Sequence, residues 1–470
     1  MQKGIEMKAY RSDMDIILVN PGDSRFEQVT EHLGIASLKS FVCSEGFKAD
    51  TLDMAVEALP VQSALERLLE INPKMIGLSL LDDSKKKGFT LAKGLKKAGY
   101  KGKIVIGGYF ATFNSADILR DFPEIDFAVR GEGELTLAEL MEYELNKTGA
   151  GYSDIQGLSY REKGEIIENP ARPLIHDLDI LPAVDRKYAR EVLKHDKHLR
   201  VYGTRGCWGQ CSFCDIIGLY GTSPGKVWRR RSAKSLVDEM EQLKAEFGTD
   251  YFIFNDDQFL VKGNKAFEIV DEFASEIEQR NLDVRFELMC RADTVSKKVM
   301  TRLKSVGLQR VFMGLESFDV RQLNRFNKKI SVRQNLKAVI TLYRLKIDVI
   351  ASVILADAHT SLWDLLTQFM IIFELKQRYF NSRNCQISVN KKLEIYPGSR
   401  VYRDYKARGL LTKDNYLTGY DFRLRFWTAA RLKMLNVEEN LFRVMLKPGI
   451  FIKSLIWRLK PLKAMLTSMK

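Results

Sequence analysis

The chain has 470 residues, too many for one ordinary domain, and its 45% hydrophobic and 29% charged content excludes a disordered or low-complexity protein. A net charge of +14 admits nucleic acid, an anionic membrane surface or anionic small molecules as partners, or simply a basic surface. Six cysteines, three of them within eight positions, exclude a disulfide scaffold and read as metal or redox chemistry in a reducing compartment.

Residues 1–14 are polar and mixed in charge, without the apolar stretch of a secretory signal. No apolar run approaches the roughly 18 residues of a membrane span, so a cytoplasmic protein is expected. The first 150 residues alternate strand and helix patterns. Strands are predicted at Asp15–Asn20, Ala49–Asp53, Lys74–Leu80, Lys103–Gly107 and Asp126–Arg130. Helices are predicted near Val29–Glu45, Val61–Ile71, Lys85–Ala98, Ser115–Asp121 and Glu134–Asn146. This is the pattern of a doubly wound, Rossmann-like parallel sheet, which binds ligands at the carboxyl ends of its strands. Those ends carry Asn20-Pro21-Gly22, Asp53, Gly107-Gly108 and Gly131-Glu132-Gly133, where glycine permits close backbone approach to a ligand or simply makes a turn.

Residues 151–198 read as a connector, with a small hairpin from Leu158–Arg161 and Glu165–Glu168 around Lys163-Gly164. From residue 199 the alternation restarts. Strands are expected at Leu199–Thr204, Tyr251–Asn255, Val284–Met289, Arg310–Leu315, Asp348–Ile354 and Gln386–Asn390, with helices between them. Six β/α pairs are too few to close an eight-fold barrel. The expectation is a partial (β/α)6 TIM barrel over 199–392, with chemistry at the carboxyl ends of its strands. Residues 393–470 form a C-terminal extension. Its last part, 442–470, carries seven Lys/Arg and no Asp/Glu, interleaved with apolar residues and Trp457. Such a helical basic tail fits either an interfacial membrane helix or a helix docked on the barrel.

The strongest motif follows the first barrel strand. Cys207, Cys211 and Cys214 are spaced C-x3-C-x2-C in Gly206-Cys207-Trp208-Gly209-Gln210-Cys211-Ser212-Phe213-Cys214. A structural zinc ion wants a fourth protein ligand. None is close in sequence: Cys43, Cys290 and Cys385 are scattered, and His32, His176, His195, His198 and His359 show no paired spacing. A [4Fe–4S] cluster on three cysteines leaves one iron open for a chelating ligand.

These residues resemble the radical S-adenosylmethionine superfamily, and the whole chain resembles the branch with an N-terminal cobalamin-binding domain. The resemblance rests on the cysteine motif, on KIVIGGYFAT (103–112) and VRGEGELTLAEL (129–140), and on WRRRSAKSLVDEM, FIFNDDQF, CRAD and FMGLES, in the expected order. It implies that the open iron chelates S-adenosylmethionine, and that one electron from a reductant such as flavodoxin or ferredoxin releases a 5′-deoxyadenosyl radical. It further implies a cobalamin held at Asn20, Gly107, Gly108, Gly131 and Glu132. Around S-adenosylmethionine it implies Phe213 near the adenine (or in the core), Arg291 on the methionine carboxylate as a bidentate partner, and Glu316 on the ribose or amino group. Asp256 and Asp257 bind substrate or cap the next helix.

Two departures stand out. Leu80–Lys85 and Gly107-Gly108-Tyr109 hold no histidine for cobalt, so the expectation is either a His-off cobalamin or a relic domain without the cofactor. The turn LADAHTSL (355–362) lacks the Gly/Pro-rich sequence common in the family. The implied activity is methylation of an unactivated carbon in a small-molecule or lipid substrate. The alternatives are another radical reaction, such as rearrangement, cyclisation, dehydration or dehydrogenation, and a non-catalytic cobalamin- or redox-sensing protein. No helix-turn-helix or stacking platform supports nucleic-acid binding.

Overall fold

The computed structural model describes residues 13–22, 29–149, 151–380 and 385–425. The basic tail therefore lies outside the described residues. Two compact units emerge: 1–200 with 219–251 and 416–418, and 201–218 with 252–415 and 419 onward.

The first unit is built on β1 (Ile16–Asn20), α1 (Leu33–Ser44), β2 (Ala49–Asp53), α2 (Val61–Ile71), β3 (Met75–Ser79), α3 (Lys85–Lys97), β4 (Lys103–Gly107), α4 (Tyr109–Asp121), β5 (Phe127–Val129) and α5 (Glu134–Met141). A hairpin, β6 (Leu158–Glu162) and β7 (Glu165–Glu168), follows. The strand order is β2-β1-β3-β4-β5-β6-β7. The first five strands pair in parallel. The hairpin of the expected connector is no free-standing element. It extends this sheet antiparallel, with Phe127 opposite Tyr160.

Both faces of the sheet are covered, which is why its strands read as continuous apolar runs. Ile17, Val19, Ile76, Leu78, Ile104 and Ile106 pack with residues of α2, α3 and α4, while Ile16, Leu18, Met75 and Val105 pack with α1 and α5. Helix α4 starts six residues earlier than its sequence predicts and bends at Asn114, whose φ is −129°. Its start follows directly from Gly108, whose φ of +92° turns the chain out of β4.

Next come α6 (Ala189–His195), β8 (Leu199–Val201), β9 (Thr204–Arg205), α7 (Asp215–Gly221), β10 (Arg229–Arg230) and α8 (Ala233–Phe247). The series continues with β11 (Tyr251–Phe254), α9 (Asn264–Gln279), β12 (Arg285–Arg291), α10 (Lys297–Ser305), β13 (Leu308–Glu316), α11 (Val320–Arg325), α12 (Val332–Arg344), β14 (Asp348–Ile354), α13 (Leu362–Tyr379) and β15 (Gln386–Asn390). The second sheet has the order β15-β14-β13-β12-β11-β8. Each strand neighbours its successor, as in a barrel, and β8 and β15 remain open edges. After it lie α14 (Arg400–Ala407) and a hairpin, β16 (Leu411–Asn415) and β17 (Gly419–Phe422), with no counterpart among the predicted elements.

Side chains alternate across this sheet. Leu288, Cys290, Val311, Met313, Val349 and Ala351 are buried on the helix-covered face. On the other face Met289 stands beside Phe312, and Phe312 beside Ile350. Met289 is 38% and Phe312 36% exposed, so a row of apolar side chains lines the inner face of the partial barrel. The same alternation puts Glu287 on this face, where it pairs with Arg310 at 3.4 Å.

Candidate active site

The cysteine loop leaves β9 and runs into α7. It is fixed along its whole length. Asp256, just past β11, accepts from Gly203 N at 3.1 and 3.2 Å and from the Thr204 hydroxyl. Asp257 Oδ2 accepts from Gly206 N at 3.1 Å. Trp208 Nε1 donates to Leu260 O at 2.9 Å. Ser212 donates from N to Phe326 O and from Oγ to Arg325 O, both at 2.8 Å, and Asn327 Nδ2 donates to Gln210 O at 2.7 Å. Asp256 and Asp257 thus neither cap α9, whose N-cap is Gly263, nor stand free for a substrate. They hold the loop. The sequence signal was available in their position at a strand end, but only the crossing of β11 beside the loop reveals the partner.

Cys211 is buried and Cys207 and Cys214 half-buried. Burial pushes the Cys207 thiol up, and pushes Cys214 up to about 12 with help from the neighbouring Asp215 carboxylate. Bare thiolates are disfavoured here, so a bound cation must hold them ionised. Among the described residues no three Cys, His, Asp or Glu side chains converge as they do around a single ion. Three cysteines on one short loop are one ligand short of a tetrahedral structural zinc site and suit a cluster that leaves one iron open. The donor set fits a three-cysteine [4Fe–4S] cluster.

Around the loop stand the other predicted residues of this unit. Phe213 is partly buried against Phe326, with ring centroids 5.0 Å apart, at the edge of an apolar cluster with Ile354 and Tyr405. Glu316 ends β13 with φ +63°, a left-handed backbone unusual for its type. A fully buried polar network holds that turn. Ser317 Oγ donates at 2.6 Å to Gln322 Oε1, Gln368 Nε2 donates to the same oxygen at 3.0 Å, and Asn335 Nδ2 donates to Leu315 O at 2.9 Å. Glu316 pairs with Lys328, a residue the sequence reading passed over.

Arg291 ends β12 and is engaged on several sides. Its Nε and Nη2 meet the two oxygens of Asp293 at 3.0 and 3.2 Å, and Nη2 also meets Lys328 O at 2.6 Å. Asp293 thus holds one of the two bidentate edges of the guanidinium. The remaining Nη1 lies 3.3 Å from Cys211 Sγ.

The turn at 355–362 replaces glycine and proline with a carboxylate. Asp357 accepts from His359 N and Thr360 Oγ1, both at 2.9 Å, and pairs with Arg325 Nε at 2.7 Å.

In the first unit the strand ends after β1 to β5 carry the other predicted residues. The crevice of a sheet ordered 2-1-3-4-5 lies between β1 and β3. Asn20 Nδ2 donates to Asp53 Oδ1 at 2.9 Å and Asn20 Oδ1 accepts from Gly22 N at 3.1 Å. A Cβ at Gly107 would meet only Val129 O, at 3.7 Å, leaving room above the strand, whereas one at Gly108 would strike Leu80 O at 2.8 Å. Gly131 has φ +75°. Glu132 is not free for a cofactor: it accepts from Arg229 Nη1 at 2.9 Å on both oxygens and from Ile175 N at 2.8 Å. The open glycine crevice fits cobalamin, while Glu132 is a structural anchor.

The structure also brings a histidine to this crevice from outside the stretches searched. His32, the N-cap of α1, accepts from Ile35 N on Nδ1 at 3.2 Å and meets Ser79 Oγ with Nε2 at 3.0 Å. Since Nδ1 accepts, the proton of the neutral ring sits on Nε2. Burial pushes its pKa down. Neither nitrogen has a lone pair to spare.

Comparison with known proteins agrees with this architecture. Residues 23–141 match the B12 binding domain and residues 201–361 the radical SAM superfamily. The chain is 28% identical to an uncharacterized methyltransferase of Pyrococcus horikoshii over 94% of its own length and 95% of the relative's. It is 27% identical to hopanoid C-3 methylase of Methylococcus capsulatus over 85% of its own length and 74% of the relative's. It spans about half the length of anaerobic magnesium-protoporphyrin IX monomethyl ester cyclases, such as that of Cereibacter sphaeroides, with 47% of the relative covered at 27% identity over 61% of this chain. The fold matches the cobalamin-dependent S-adenosylmethionine radical enzyme OxsB, with a TM-score of 0.75 and 20% identity over 90% of this chain and 66% of that one. With a matched B12 binding domain, a matched radical domain and a cysteine loop built for a cluster, the chain belongs to the radical S-adenosylmethionine superfamily, in the branch with an N-terminal cobalamin-binding domain.

Proposed function

We propose that this enzyme transfers a methyl group to an unactivated carbon of a small-molecule or lipid substrate that presents an apolar surface. The observation that carries the reading is the presence in one chain of a three-thiol loop at the carboxyl ends of a barrel-like sheet and, in a second, doubly wound sheet, a strand end at Gly107 with open space above it. The methyltransferase and methylase names of relatives matched over most of their length favour methyl transfer.

Cys207, Cys211 and Cys214 would hold the cluster, and Gly107 would leave room for cobalamin. When bound, these groups supply one-electron cleavage of S-adenosylmethionine and a methyl carrier. The protein's own part is binding, orientation and exclusion of water. Asp256 and Asp257 fix the loop, Glu316 presents a carboxylate at the end of β13, and Met289, Phe312 and Ile350 give the substrate an apolar wall. His32 is locked by Ile35 and Ser79, so it would not serve as a ligand to a bound cobalamin.

Anaerobic reconstitution with both cofactors and a one-electron reductant, flavodoxin or ferredoxin, tests this. 5′-Deoxyadenosine and S-adenosylhomocysteine should form together. Deoxyadenosine without homocysteine would remove methyl transfer and leave the second reading, radical ring formation, which the partial likeness to the cyclases favours.

The protein works in a reducing cytoplasm, and among the described residues no helix is long and apolar enough to cross a membrane. For the basic, apolar segment 442–470 we propose one of two roles, docking on the barrel or peripheral contact with an anionic membrane surface. Deleting residues 447–470 should lower partition onto anionic liposomes, and unchanged partition would exclude the contact.

A further inference from the structure

Arg291 is held from every side. Asp293 takes its Nε–Nη2 edge, Lys328 O takes Nη2 again, and the Trp208 ring lies 4.8 Å from the guanidinium carbon. Asp293 is itself fixed by Lys262 Nζ at 2.5 Å, and that ammonium also lies 4.7 Å from the Trp208 ring. The one free edge, Nη1, points at Cys211 Sγ from 3.3 Å. The loop is shaped to admit it: a Cβ at Gly209 would stand 3.0 Å from Nη1 and 3.2 Å from Cys207 Sγ. A surface salt bridge needs none of this. Asp293 keeps the Nε–Nη2 edge from any ligand carboxylate.

We infer that Arg291 sets the reduction potential of the cluster bound at Cys207, Cys211 and Cys214, through an N–H···S hydrogen bond and a fixed positive charge at Cys211. The inference rests on the reading of the loop as a [4Fe–4S] site. The step concerned is the entry of one electron from the external reductant. No bond forms or breaks, and the cluster with its thiolates becomes more negative by one charge. A buried cation in hydrogen-bond contact with one of those sulfurs stabilises the reduced form more than the oxidised form, and so raises the potential. Burial works against the guanidinium's charge, but Asp293 and the neighbouring thiols keep it protonated.

The test is an EPR-monitored redox titration of the anaerobically reconstituted protein, with S-adenosylmethionine binding measured by equilibrium dialysis on the oxidised form. Arg291→Gln should shift the midpoint to more negative potential. Arg291→Lys, which keeps the charge and loses the fork, should shift it less. Affinity for S-adenosylmethionine should change by no more than about twofold in either. An unchanged midpoint with affinity lowered about tenfold or more would overturn the proposal and restore Arg291 as a ligand to the methionine carboxylate. If Arg291→Gln fails to hold iron, Gly209→Ala serves instead: its methyl pushes Nη1 off Cys211 while the charge stays, and an unchanged midpoint there would equally overturn the proposal. Absence of a cluster signal in the unmodified protein would instead count against the [4Fe–4S] reading itself.

Discussion

Lys328 Nζ donates to Glu316 Oε1 at 2.7 Å, and the two side chains keep only 5% and 11% of their surface exposed. Two opposite charges are therefore held together out of water at the end of β13, on a residue whose backbone is already left-handed. Removing one partner leaves the other charge buried alone. Lys328→Met should destabilise the protein by about 3–5 kcal/mol, and the double variant with Glu316→Gln should recover most of that loss. Denaturant midpoints followed by circular dichroism decide it. A single-variant cost under about 1 kcal/mol would mean the pair is solvated.

Asp256 gives a pH dependence with a definite sign. Burial raises its carboxyl to about 7 despite the donors from Thr204 and Gly203. Its unfolded value is near 3.9. A raised carboxyl favours the folded state while protonated, so its stabilisation is complete below about pH 4 and is lost as the pH rises towards 7, by up to about 1.4 kcal/mol per unit. Asp256→Asn keeps an acceptor oxygen for the Thr204 hydroxyl and Gly203 N and removes the ionisation. It should flatten the stability profile between pH 4 and 7, and a profile as steep as that of the unmodified protein would show that Asp256 is ionised throughout.

Adjacent glycines should separate folding from cofactor binding. Gly108→Ala places a Cβ 2.8 Å from Leu80 O on a backbone with φ +92°, and should cost more than about 1 kcal/mol. Gly107→Ala meets only Val129 O, at 3.7 Å, and should leave stability within about 0.5 kcal/mol while lowering cobalamin retention in dialysis. Full retention by a stable Gly107→Ala protein would place cobalamin away from this strand end.

His32 should leave no mark on cobalt. The EPR spectrum of bound cob(II)alamin should lack splitting from a histidine nitrogen and should be identical in His32→Ala. That variant should lose only its N-cap, about 1 kcal/mol. Nitrogen splitting that disappears in His32→Ala would show that the ring breaks its bonds to Ile35 and Ser79 and ligates cobalt.

The cysteine spacing, the β/α alternation and the strand-end glycines were legible in the linear chain. Parallel strands buried on both faces must be apolar throughout, and a loop that wraps a cluster draws its ligands from a few adjacent positions. Even the boundaries of β2, β4 and β15 coincide with their predicted ranges. What the chain could not disclose is which partner each polar side chain meets. Glu132 faces Arg229, 97 positions away, and Arg291 faces Cys211, 80 positions away. A strand-end carboxylate thereby meets an arginine, and a strand-end arginine meets a cysteine of the loop. Periodicity reports which face of an element is buried; the crossing of distant segments decides what a buried charge finds there, and that exists only in the folded chain.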